Sequence, residues 1–250
     1  MKVFVSSAFL VSLALISATW VQAEQASPPL DQSVQAAPVS SPSPALAYQP
    51  PHRGAPSPGR RIGGGTRSFG KKGPLISVLA PDHTGLTVHD QPSLYWFVSE
   101  TVSVPIEVEV TLIEEDGVKP IMKKKLSPPV GPGIQRLNLS EYGVHLTPGA
   151  RYEWSVALVL DPKRRSRDIV ASGGIERIDA AKAPTVPDEN TPKSEAPQVY
   201  AKAGLWYDTI MSVSDLIASS PTDHTLREQR ANLLETAGLK EVGAYDRETK

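Results

Sequence analysis

The 250-residue chain contains no cysteine. That absence excludes disulfide staples, thiolate metal sites, a cysteine nucleophile and a lipid-modified cysteine at a leader junction, so packing alone must hold the fold. No stretch beyond the first two dozen residues is long and apolar enough to span a bilayer as a helix. Neither charge is in excess: 26 Lys and Arg stand against 27 Asp and Glu, which excludes a global field for nucleic acid or an anionic membrane and leaves only local basic runs. The five histidines are scattered, with no i, i+4 metal pair and none beside a serine in a nucleophile motif. No cofactor, metal or catalytic residue is read from this sequence.

What is present begins with a leader over residues 1–23. Lys2 gives the positive start, Val3 to Trp20 the apolar run, and Val21-Gln22-Ala23 a small-x-small exit. Ser6, Ser7 and Ser12 interrupt the run and favour cleavage after Ala23 over retention as an anchor. The expected address is periplasmic or extracellular. Residues 24–59 are built from Pro, Ser, Ala and Gln, with nine prolines, and read as a disordered, partly extended linker. Arg60 to Gly73 then sets Arg60, Arg61, Arg67, Lys71 and Lys72 among glycines, matching neither phosphate-loop spacing, and reads as an entry loop.

The region 60–180 is expected to fold as one β domain around Leu146 to Pro162, where Tyr152, Trp154, Val156, Leu158 and Leu160 share one face at period two. A strand with so heavy an apolar face needs a facing sheet. Partner strands are read at Leu75 to Ala80, Leu86 to Val88, Ser93 to Ser99, Pro105 to Ile113, Val118 to Leu126, Gln135 to Leu139 and Ile169 to Ile178. Ser93 to Ser99 is apolar on both faces and should be covered on both. Val118 to Leu126, with Pro120 and Lys123-Lys124-Lys125, suits a protected edge. Gly173-Gly174 marks either a bulge or a close backbone approach. The fold class expected is mainly β: an antiparallel sandwich of immunoglobulin or fibronectin outline.

Residues 181–196 read as a second linker. Val199, Ala203, Trp206, Ile210, Val213 and Ile217 then recur at helical spacing, interrupted at Gly204, and Asp223 opens another helix that stops at Gly238. A helical hairpin over 197–240 is expected, docked on the sandwich because Trp206 and Tyr207 need cover, with 241–250 as a tail.

The candidate anion- or partner-binding residues are Arg60, Arg61 and Arg67 at the entry and Arg164, Arg165 and Arg167 on a hairpin loop. If the two groups meet, bidentate arginines suit phosphate or carboxylate groups of an envelope polymer or an acidic protein; ordinary solubility is the competing account. Asp82, His83, His89 and Asp90 surround one short strand and read as polar turn residues, and Glu107 with Glu109 as a solvated strand face.

R-R-I-G-G-G-T-R at Arg60 to Arg67, P-S-L-Y-W-F-V at Pro92 to Val98, L-T-P-G-A-R-Y-E-W at Leu146 to Trp154, Asp161-Pro162 with R-S-R-D at Arg165 to Asp168, G-G-I-E-R at Gly173 to Arg177 and A-G-L-W-Y-D at Ala203 to Asp208 occur in that order. As an ordered set they resemble a bacterial family, common in cyanobacteria, known as domain of unknown function 928, over about Arg60 to Leu239. In that family cysteines tend to follow the glycine run and to precede the Asp-Pro; Ser68 or Phe69 and Leu160 stand there instead, which fits loss of a disulfide joining the two places. Gly174 stands where a tryptophan is usual. The resemblance implies an exported protein with no established activity and brings no catalytic residues. The reading that results is a non-enzymatic binding module of the cell envelope, its partner an envelope protein or anionic polymer. The alternatives are an assembly factor acting through Pro197 to Lys250, whose removal should leave the sandwich folded, and an envelope glycan hydrolase.

Overall fold

The computed structural model describes residues 45–51, 57, 59–63, 74–114 and 117–249. The leader, most of the expected linker and the glycine run with Arg67 lie outside the described residues. The described chain is mainly β, with nine strands in two sheets followed by four helices.

The strands are β1 (Ile62–Gly63), β2 (Ile76–Val78), β3 (Gly85–Thr87), β4 (Ser93–Val98), β5 (Ile106–Glu114), β6 (Gly117–Leu126), β7 (Gly133–Asn138), β8 (Arg151–Leu158) and β9 (Ile169–Arg177). One sheet runs β1-β2-β4-β7 and is antiparallel throughout; the other runs β3-β9-β8-β5-β6. The expectation of purely antiparallel pairing fails at one place, because β3 lies parallel to β9. Pro81, with no N–H to give to a ladder, stands where the chain leaves the first sheet for the second.

The alternation within each strand explains which face is buried. Ile106, Val108 and Val110 on β5 and Tyr152, Trp154, Val156 and Leu158 on β8 are buried together. On β4 both faces are buried. Trp96 pairs with Val78, whose side chain lies against Gly173 of β9, so that face meets the other sheet. On the opposite face Phe97 meets Tyr245 of the C-terminal helices, ring centroids 5.0 Å apart. Gly173 sits in regular register opposite Trp154, without a bulge, and a Cβ there would stand 2.5 Å from Ala80 Cβ. Close approach, not a bulge, is therefore what the glycine supplies.

The helices are α1 (Ala196–Lys202), α2 (Trp206–Ser219), α3 (His224–Thr236) and α4 (Lys240–Glu248). Gly204 at φ +74° separates α1 from α2, and Asp223 caps α3 by accepting the Thr225 N–H at 2.9 Å. Four helices replace the expected hairpin, and most of the expected tail is α4. Its inner side carries a charge as well as Val242: Asp246 accepts from Arg230 at 2.7 Å through both oxygens, with the pair buried. A carboxylate on the inward side blurs the apolar stripe that marks a helix in sequence.

Residues 45–51, expected as the end of a disordered linker, instead form a strap against this helical region. Leu46 is buried, Tyr48 stands edge-on to Trp206 at 5.0 Å, and the Gln49 N–H donates to the Ala201 carbonyl at 3.0 Å. The proline-rich composition hid these few anchoring side chains. Among the described residues no helix is long and apolar enough to cross a membrane.

Candidate functional site

Three consecutive residues at the start of α2 join the helices to both sheets. Trp206 Nε1 donates to the Leu79 carbonyl at 2.8 Å. Trp154 Nε1 donates to the Tyr207 hydroxyl at 2.8 Å, which in turn donates to the Gly174 carbonyl at 2.8 Å. Complete burial raises the Tyr207 phenol well above its ordinary range, so it stays a neutral donor. Asp208, fully buried, accepts from Thr87 Oγ1 at 3.1 Å, from the Val88 N–H at 3.3 Å and from His89 Nδ1. That hydrogen bond raises the His89 pKa, with burial opposing it.

The same turn carries a second pair. Asp90 accepts from His145 Nδ1 at 2.5 Å and from Arg177 Nη1 at 2.7 Å, and Arg177 also donates to the Leu146 carbonyl at 2.7 Å. His83 takes separate partners, Asp82 at 3.0 Å and the Tyr48 hydroxyl at 2.9 Å. Thus Asp82, His83, His89 and Asp90 do not share one centre. Among the described residues no group of three or more His, Asp or Glu could hold a metal ion.

His145 also lines an open groove of about 320 Å³. Leu112 of β5 and Ile121 of β6 form one part of its wall; residues 142–145, Thr147 and Tyr152 form the rest. Tyr152 is buried and accepts the Thr147 N–H on its hydroxyl at 2.9 Å, which fixes the loop before β8. Tyr142 is 36% exposed, and Lys124 Nζ stands 5.1 Å from its ring centroid. Behind the groove, among the described residues, β6 is the outermost strand of its sheet and pairs with β5, and its ladder slips between Val110 and Thr111 beside Ile121. Lys123 on that strand is held by Glu107 at 3.1 Å and Glu109 at 3.7 Å. Among the described residues Lys119, Lys124 and Lys125 meet no carboxylate.

The arginines divide differently. Arg61 turns inward and donates to the carbonyls of Ala80 at 3.2 Å and Ala237 at 2.7 Å, tying the β domain to the end of α3. Arg60 is exposed, and its carbonyl accepts the Ser172 N–H at 2.7 Å. Arg164, Arg165 and Arg167 stand together on the loop before β9: Arg164 donates to Asp161 at 2.6 Å, and Arg165 to Asp168 at 2.6 Å and to both Glu107 oxygens at 2.8 and 3.3 Å. Glu107 is accordingly shielded rather than solvated as expected, and Arg165 holds its carboxyl below the usual range. Arg67 lies outside the described residues. Sequence reasoning missed Asp208, Tyr142 and Lys124 as a set. The one signal for the first was the A-G-L-W-Y-D run.

A family model described as Domain of Unknown Function (DUF928) matches residues 62–246. No curated protein matches. Among solved structures, the crystal structure of a multi-domain immunophilin from Arabidopsis thaliana aligns at 10% identity over 70% of this chain and 93% of that one, with a TM-score of 0.16, a likeness that carries no argument.

Proposed function

We propose a function for a chain that belongs to the DUF928 family: it is a non-enzymatic binding module of a bacterial cell envelope, exported by its leader, that receives a partner in the groove beside β6. The two sheets then form a sandwich of immunoglobulin outline. In support, β2-β4-β7 and β9-β8-β5-β6 reproduce the two-sheet strand grouping of such domains, and the Tyr152 hydroxyl takes a main-chain N–H five residues upstream, as a tyrosine corner does. The observation that carries the binding reading is the open groove lined by Tyr142, with cationic side chains on the bordering strand.

The competing readings draw less support. For assembly through the helices, the aromatic start of α2 is spent on Leu79, Trp154 and Gly174 within the same chain. For a glycan hydrolase, Glu107 is clamped by Arg165 and made more acidic, opposite to what a general acid needs.

The test is quantitative capture from a bacterial envelope extract by the mature protein and by a Tyr142→Ala/Lys124→Glu variant. Partners retained by the wild type and lost from the variant are expected; identical capture overturns the groove reading. A purified envelope form beginning at Glu24 would support export, and a cytoplasmic full-length chain would refute it.

A further inference from the structure

We propose that the free edge of β6 and the groove beside it receive an extended acidic segment of another protein, with one large apolar side chain in the groove. This rests on the binding reading and names the chemistry of the partner.

Three observations converge. First, among the described residues β6 is outermost in its sheet and ten residues long, so its outward N–H and C=O groups can accept another strand. Pro120 cannot donate there, which confines pairing to the part beyond it, Ile121 to Leu126. Second, β6 carries Lys119, Lys123, Lys124 and Lys125 and no acid between Gly117 and Leu126. The register sets Lys119 opposite Leu112 and Lys124 opposite Val108, the apolar face of β5, so both lysines stand on the groove side. Lysines there repel a second copy of the same edge and select a strand of opposite sign, so edge protection and partner choice are one device. Third, the groove takes an apolar anchor among Leu112, Ile121 and Tyr142, and its volume lies near the low end, about 300 Å³, of small-molecule sites, which suits one large side chain rather than a long acyl chain.

The probes are two synthetic peptides, one alternating glutamate with valine around a central leucine, the other with lysine in place of every glutamate. The mature protein should bind the acidic peptide, at least about tenfold tighter than the basic one at low salt, with affinity falling as salt is added. Hydrogen exchange at Ile121 to Leu126 should slow on binding. Lys119→Glu/Lys124→Glu should reverse the preference, and Tyr142→Ala should weaken binding of the acidic peptide. Equal affinity for both peptides, no binding of either, or protection confined to other strands overturns the proposal, and the wild-type measurements decide even if a variant fails to fold. Capture that depends on the groove while neither peptide binds would remove this chemistry and leave the binding reading standing. Edge protection by the acidic peptide would support the chemistry even if extract capture were unchanged.

Discussion

Asp208 has no water to fall back on: its carboxylate is buried and its acceptors serve a hydroxyl, a main-chain N–H and an imidazole. Because that pairing raises the His89 pKa, the folded state holds the proton more tightly than the unfolded one. The stabilisation is fully present below the unfolded histidine value, about 6.5, and is lost as pH rises through the raised folded value. The gap in urea midpoint between wild type and His89→Gln should therefore be widest near about pH 5.5 and narrow toward about pH 9; a gap that widened with pH would reject the pairing as the cause. Apart from the A-G-L-W-Y-D run that carries Asp208, none of this pairing was legible in the sequence. His89 and Asp208 lie 119 positions apart, His145 and Asp90 lie 55 apart, and a lone Asp in the first turn of a helix reads simply as a favourable dipole partner.

At the scale of elements, the first turn of α2 is the joint between helices and strands. Tyr207→Phe leaves the Trp154 Nε1–H buried without a partner and takes one of its donors from the Gly174 carbonyl, and should cost about 1–3 kcal/mol in chemical denaturation. Asp246→Ala strands the Arg230 guanidinium among α2, α3 and α4, where it also donates to Ser214 at 2.9 Å; a loss of about 3–5 kcal/mol is expected. Both can be read from midpoints with unchanged slope. Removing Pro197 to Lys250 would uncover Leu79 and Phe97, so the remaining β region is expected to aggregate rather than fold alone, where the assembly-factor reading expects a folded sandwich; a soluble, cooperatively melting fragment would refute this. The strands were legible because period two is a local signal, as in Ile106, Val108 and Val110, and the split at Gly204 because positive φ favours glycine. The strap and α4 were not. Leu46 and Tyr48 are two anchors in a proline-rich run, and Val242 is followed by inward-facing Asp246.

At the scale of the molecule, the distance between the sheets is set where Gly173 passes Ala80. Gly173→Ala should destabilise by about 1–3 kcal/mol, because the obstructing atom is a rigid methyl. Adding Ala80→Gly should recover much of that loss, a coupling visible in a double-mutant cycle; strictly additive losses would place the strain elsewhere. The Gly-Gly pair left a bulge and a close approach equally open, and which residue it would meet depended on how β2 crosses β9, which nothing local to either segment encodes.

The parallel pairing of β3 with β9 also has a consequence in time. A chain made from its N-terminus exposes residues 85–87 long before residues 175–177, their ladder partners, exist, and Trp206 and Tyr207 come later still. That one ribbon must wait, unpaired, while β1, β2, β4, β5 and β6 can already pair with one another, so this edge of the second sheet closes late.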